Sequence, residues 1–148
     1  MLKLPIVDKY YTRVNGTMHK VFVIGQCNMK CKKCVKAEWY QDTLAKELWT
    51  EFPVIIRECE NDKSIGADCI EIIGGTNNKG VTPEMLIEAI TTLSKILPVC
   101  LTSWLPDRAY IHKVLKDRQL VKRLITDDCN KENRKSYELR GGVYYGEN

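Results

Sequence analysis

Short apolar, β-branched runs alternate along this chain with segments whose apolar residues recur at helical spacing. Lys20-Val-Phe-Val-Ile24 reads as a buried strand that ends at Gly25. Phe52, Ile55, Ile56 and Cys59 fall at i, i+3, i+4 and i+7. That spacing predicts a helix with Thr50 as N-cap, Glu51 near the positive end of its dipole and Pro53 in its first turn. Cys69-Ile-Glu-Ile-Ile73 reads as a second strand, stopped by Gly74-Gly75. The clearest helical stripe is Met85, Leu86, Ala89, Ile90, Leu93, Ile96 and Leu97, with Thr82 as cap, Pro83 in the first position and Pro98 at the end. Val99-Cys-Leu-Thr102 predicts a third strand, Tyr110–Lys116 a short helix with Ile111, Val114 and Leu115 on one face, and Leu120–Thr126 a fourth strand.

Alternation of this kind predicts an α/β fold with a mostly parallel sheet built from right-handed βα units. Sites in such sheets gather at the carboxyl ends of the strands. The segment Cys27–Cys34, the pair Gly74-Gly75, the pair Thr102-Ser103 and the pair Asp127-Asp128 each follow a predicted strand. All four are therefore expected on one edge.

Composition narrows the class. The 148 residues correspond to a single domain over residues 1–148, with no room for a second substrate domain. Apolar residues at 44% and charged residues at 28% exclude a disordered chain. The longest apolar runs, Val21–Gly25 and Val54–Ile56, fall far short of the roughly 20 residues of a membrane-spanning helix. A net charge of +4 is too small to indicate nucleic-acid binding. Met1–Tyr11 contains no apolar secretory leader, and the seven cysteines are an odd number that no complete set of internal disulfides satisfies. Together these features point to a reducing, cytoplasmic setting.

Three of the cysteines crowd into Cys27-Asn-Met-Lys-Cys31-Lys-Lys-Cys34, a C-x3-C-x2-C spacing on the loop that leaves the first predicted strand. Three thiolates on a short loop can hold one iron–sulfur cluster, and three ligands on a four-iron cluster leave one iron open. Lys30, Lys32, Lys33 and Lys36 lower the thiol pKa values and offset the cluster's charge, or simply form a solvated basic loop. A structural zinc site is the other option, but it needs a fourth ligand, and the only nearby histidine, His19, precedes the strand. Cys59, on a helical stripe, and Cys69 and Cys100, in strands, read as small core residues; Cys129 falls in a polar stretch.

The triple-cysteine spacing resembles that of radical S-adenosylmethionine (SAM) enzymes. Further along the chain, Val14-Asn15-Gly16 before a strand, Val21-Phe-Val-Ile-Gly-Gln-Cys27, Ala37-Glu38-Trp39, Leu101-Thr102-Ser103-Trp104, Ile125-Thr-Asp127 and Leu139-Arg140-Gly141-Gly142 are similar, in order, to segments of the activating proteins of anaerobic ribonucleotide reductases. The chain departs from that family at Lys33, where members carry an aromatic residue. It departs again at Gly74-Gly75-Thr76-Asn77, where an acidic residue follows the glycines.

The resemblance implies an open, partial (βα) barrel binding a [4Fe-4S] cluster through Cys27, Cys31 and Cys34, with SAM on the open iron. It implies that Gly74 and Gly75 let backbone approach the SAM amino group, and that Thr76 or Asn77 replaces the missing acid. Thr102 and Ser103 would touch its ribose or carboxylate, or else cap the next turn. Trp39 would stack near adenine, and Arg140 would bind a carboxylate or a partner's tail. The implied partners are a glycyl-radical enzyme, the anaerobic reductase, and a flavodoxin-like or other one-electron donor. A small radical SAM enzyme acting on a nucleotide or peptide, and an iron–sulfur or zinc module without radical chemistry, are the competing expectations.

Overall fold

Asn15 and Gly16 both adopt positive φ, at 51° and 84°, the backbone of a two-residue type I′ hairpin turn. That turn folds β2 (Ile6–Val14) antiparallel onto β3 (Thr17–Ile24), pairing Val14 with Thr17. The computed structural model describes residues 1–27, 44–76, 78–103, 110–111, 113–126 and 135–138. The remaining strands are β1 (Lys3–Leu4), β4 (Thr50–Glu51), β5 (Cys69–Ile73), β6 (Val99–Ser103), β7 (Arg123–Thr126) and β8 (Lys135–Glu138). The helices are α1 (Phe52–Ser64), α2 (Pro83–Leu93) and α3 (Lys113–Asp117).

Six strands form one sheet in the order β2-β3-β5-β6-β7-β8, and β1 pairs separately with β4. The four central strands run parallel, and an antiparallel strand closes each edge. The fold is therefore mixed α/β with a mostly parallel sheet. The parallel strands follow one another in chain order, with α1, α2 and α3 in the successive connections.

Side chains alternate across the sheet. Phe22, Ile24, Ile70, Ile72, Val99, Leu101 and Leu124 face the helices and join Phe52, Ile55 and Cys59 of α1 and Leu86, Ala89, Ile90 and Leu93 of α2 in one apolar cluster. The opposite face carries His19, Val21, Val23, Cys69, Glu71, Ile73, Cys100, Thr102 and Arg123.

Several boundaries differ from the sequence expectation. Thr50 is not the cap of α1; it pairs with Leu4 in β4, and Glu51 occupies the cap position without a side-chain hydrogen bond. Thr82 does cap α2, accepting from the Met85 N–H at 3.2 Å. That helix ends at Leu93 rather than at Pro98, because Ser94–Leu97 continues as turns that still tuck Leu97 into the core. Ile87 is buried on α2 while Met85 is half-buried, its sulfur accepting from the Thr82 N–H. Tyr110 and Ile111 are helical, as expected, and the regular α3 turn runs from Lys113 to Asp117; the fourth parallel strand starts at Arg123, leaving Leu120 and Val121 as core residues ahead of it. Strands β1, β2, β4 and β8 have no counterpart among the apolar runs. The Asn15-Gly16 pair is the available signal for β2.

One charged cluster is built into the helix side of the sheet. Lys20 is buried beneath α1, its ammonium 3.3 Å from both Glu58 and Asp62 and 4.7 Å from the centre of the Tyr11 ring. Tyr11 donates to Asp62, and Lys9 pairs with Glu58. Burial alone would push the Lys20 ammonium down, but Asp62 and then Glu58 hold it above its ordinary 10.5. Burial would raise Glu58, yet Lys9 and Lys20 hold it below its ordinary 4.5.

Replacing Lys20 by Met leaves the buried Asp62 with only the Tyr11 hydroxyl and Glu58 with only Lys9, and is expected to cost about 3 kcal/mol, read from urea unfolding. Because Glu58 is depressed in the folded state, its contribution is complete above pH 4.5 and is lost as pH falls through the folded value. Lys20 behaves oppositely, contributing fully below pH 10.5 and losing that contribution as pH rises through its folded value. Glu58→Gln should therefore flatten the acid limb of the stability profile and leave the alkaline limb to Lys20 and Asp62. Burial, reinforced by Asp62, pushes the Cys59 thiol up to about 12, so iodoacetamide should label half-buried Cys27 well before Cys59 in the native protein.

Candidate functional site

Parallel strands end on the same side, so β3, β5, β6 and β7 deliver their following residues to one edge. β3 ends at Ile24, and Gly25, Gln26 and Cys27 continue from it. Gln26 takes positive φ at 65°, which turns the chain out of the strand before the half-buried Cys27. β5 ends at Ile73 and runs into Gly74 and Gly75, whose φ values of 94° and 105° favour residues without a Cβ. A Cβ on Gly74 would lie 3.0 Å from the Ile24 carbonyl oxygen, and one on Gly75 would lie 2.9 Å from Leu86 Cδ1. The glycines are thus required by their own backbone and by packing against the end of β3 and against α2.

Asn78 joins these two ends. It is 5% exposed, and its Nδ2 donates to the carbonyl oxygens of Ile24 at 3.1 Å and Gly25 at 2.6 Å. Its Oδ1 accepts from the Gly75 N–H at 2.8 Å. Its backbone forms an isolated antiparallel bridge with Cys27, and the neighbouring Lys79 N–H donates to the Gln26 carbonyl at 2.8 Å. One buried amide therefore ties the root of the cysteine segment to the glycine turn.

A second tie closes the base of that segment. The Gln26 side-chain amide donates to the Leu44 carbonyl, which also accepts from the Trp49 indole N–H at 3.4 Å. Residues on either side of 28–43 are thereby held together at the carboxyl edge.

The remaining expected residues divide cleanly. Thr102 is half-buried on the face away from the helices, and its carbonyl oxygen accepts from the Gly74 N–H at 2.8 Å, linking β6 to the glycine turn. The Ser103 backbone ends β6, opposite Thr126 of β7. Thr76 is half-buried in the bend after the glycines. Cys31, Cys34, Lys33, Trp39, Asn77, Asp127, Asp128, Cys129 and Arg140 lie outside the described residues. Sequence reasoning missed Asn78, Gln26 and Leu44. The polar doublet Asn77-Asn78 after two glycines marks a turn, but nothing in its spacing says which amide reaches back to β3.

Both glycine N–H groups are committed, Gly74 to Thr102 and Gly75 to Asn78. A further backbone hydrogen bond from this pair would therefore fall to its carbonyl oxygens, which accept from a donor such as an ammonium and not from a carboxylate. Among the described residues no group of three or more His, Cys, Asp or Glu side chains is arranged to hold a metal ion. Of the three clustered cysteines, Cys27 alone is among the described residues, and it is half-buried at this edge. No helix among the described residues is long and apolar enough to cross a membrane. Compared with protein-family models, curated proteins and solved structures, the chain matches none.

Asn78→Ala strands two carbonyl oxygens and one N–H in a buried site, each worth about 1–3 kcal/mol when left unsatisfied. The expected loss is about 3 kcal/mol in guanidinium unfolding, with faster hydrogen exchange at the Gly75 amide. An alanine variant as stable as the parent would show that Asn78 does not hold these loops.

Proposed function

We propose that the chain is a radical SAM activating enzyme that installs a glycyl radical on a partner enzyme of the anaerobic ribonucleotide reductase type. The carrying observation is the junction at the carboxyl edge, where the first residue of Cys27-x3-Cys31-x2-Cys34 is bridged through Asn78 to Gly74-Gly75. A three-thiolate iron–sulfur ligand set and a turn offering carbonyl oxygens to an amino group are the two parts such an enzyme needs side by side. The run of four parallel strands in chain order, with helices on one face, supports an open (βα) barrel wall as the architecture.

In this reading Cys27, Cys31 and Cys34 hold a [4Fe-4S] cluster, and the donor set suits it, since thiolates are its usual protein ligands. Held by these thiolates and reduced by a flavodoxin-like or other one-electron donor, such a cluster would supply the electron for cleavage of SAM to methionine and a 5′-deoxyadenosyl radical. The protein's own residues orient. Gly74 and Gly75 accept the amino group of SAM through their carbonyls, held in place by Asn78 and by the Thr102 carbonyl. Thr76 and Asn77 stand where the family's acid would add a charged contact, so recognition of that ammonium here relies on neutral oxygens. Thr102 and Ser103 end the adjacent strand, and in this reading their hydroxyls would meet the ribose or carboxylate.

Anaerobic reconstitution with iron and sulfide, reduction, and addition of SAM should yield 5′-deoxyadenosine. Cys27→Ala, Cys31→Ala and Cys34→Ala should each abolish that product, whereas Cys59→Ala, in the core of α1, should retain it at a modest cost in stability. A fully loaded cluster that binds no SAM and forms no 5′-deoxyadenosine overturns the proposal and leaves a non-radical iron–sulfur or zinc module.

A further inference from the structure

The helix-free face of the sheet holds a second group of reactive side chains, near the amino ends of the strands and away from Cys27. Cys69 opens β5, and Cys100 is the second residue of β6. Register pairs Ile70 with Val99 and Glu71 with Cys100, which makes Cys69 and Cys100 diagonal neighbours on one face. Their sulfurs are 3.3 Å apart, closer than two unbonded sulfurs normally approach without a shared proton, and both are free thiols. The residues are 2% and 4% exposed, yet neither belongs to the apolar cluster beneath the helices, where Cys59 does sit.

Their neighbours are polar. His19 is the cross-strand partner of Cys69, and Arg123 is that of Cys100. Glu71 lies between, its Oε1 3.0 Å from His19 Nδ1 and 2.7 Å from Arg123 Nη2. Two sulfurs in contact inside a charged row differ from two small core residues, which is how the sequence alone presented them.

We propose that Cys69 and Cys100 are a redox-active dithiol that closes to an internal disulfide between β5 and β6 when a hydroperoxide oxidises it. The two thiols are not equivalent. Either sulfur can donate in the contact between them, but Arg123 is the cross-strand partner of Cys100, and the contact and that guanidinium together outweigh burial to favour the Cys100 thiolate. The contact with Cys100 and then burial hold Cys69 protonated. Cys100 is therefore the attacking sulfur. Its thiolate attacks one peroxide oxygen, the O–O bond breaks, and Cys100 becomes a sulfenic acid while hydroxide leaves and is protonated to water. The Cys69 sulfur then attacks Cys100 Sγ, the S–O bond breaks, and the hydroxyl departs with the Cys69 proton as a second water. Two thiols and one hydrogen peroxide become one disulfide and two waters, with two electrons passing from sulfur to oxygen. An external dithiol reverses the step by exchange.

The closed form staples the amino ends of two strands whose far ends carry Gly74-Gly75 and Thr102. The inference is independent of any cluster at Cys27. It is tested on the reduced full chain by treatment with hydrogen peroxide, quenching by alkylation, trypsin digestion and mass spectrometry. Trypsin places Cys69 in residues 64–79, Cys100 in 96–108 and Cys59 in 58–63, so the three are distinguished directly. The expected product is a 64–79/96–108 cross-linked peptide, two hydrogens lighter than the sum of its parts and released by dithiothreitol, with Cys59 still alkylated. In Cys69→Ser the expected product is a Cys100 sulfenic acid that dimedone traps. Cys69 and Cys100 both recovered as alkylated thiols in the parent protein, or Cys100 recovered as sulfinic acid beside an intact Cys69 thiol, would overturn the proposal.

Discussion

Parallel pairing of consecutive strands is the constraint on which the rest of this structure depends. A parallel pair cannot be joined by a tight turn, so each of β3, β5, β6 and β7 needs a crossover long enough to return to the starting edge. The chain spends α1, α2 and α3 on those crossovers, and the four strands end together. Cys27, Gly74-Gly75, Thr102-Ser103 and Thr126 owe their common location to this and not to any attraction among themselves. What then needs holding is the irregular backbone past the strand ends, where ladder hydrogen bonds stop. Asn78 does this for β3 and β5, the Thr102 carbonyl for β5 and β6, and Gln26 for the two sides of residues 28–43.

The two faces of the sheet solve different problems. Toward the helices the strands present Phe, Ile, Val and Leu, and burial of that surface supplies most of the driving force for folding. Lys20 breaks the pattern and is compensated by Glu58 and Asp62, so that position depends on α1 keeping its register over the sheet. The other face runs through His19, Glu71 and Arg123, with one Glu71 oxygen shared between the imidazole and the guanidinium and two thiols in contact nearby. A face of that composition offers acid–base and sulfur chemistry that an apolar face lacks. Its polar row adjoins the strands that end at the candidate site.

The site and the fold are coupled through the glycine turn. Gly74 and Gly75 satisfy two demands, a left-handed backbone and close packing against Ile24 and Leu86, before any ligand is considered. Their N–H groups are already bonded to the Thr102 carbonyl and the Asn78 side chain.

Much of the architecture was legible from local pattern because its signals are local. Period-two and β-branched runs marked the central strands, Thr82-Pro83 marked the start of α2, and the glycines marked strand ends. The parallel pairing of the central strands followed from the alternation of strands and helices, and so did the edge on which the cysteine segment emerges. Where expectation failed, a partner distant in sequence decided the outcome. Thr50 pairs with Leu4 instead of capping a helix, Pro98 lies beyond a helix that had already ended, and β8 exists because β7 offers it an edge. The same is true of Asn78, whose three partners lie on two strand ends, and of the Cys69–Cys100 contact. The chain's own pattern determined which segments are strands, which are helices and where three thiols cluster. Tertiary structure alone decided which buried amide joins the loops and which thiols touch, because register between strands far apart in sequence is set by packing of the whole sheet.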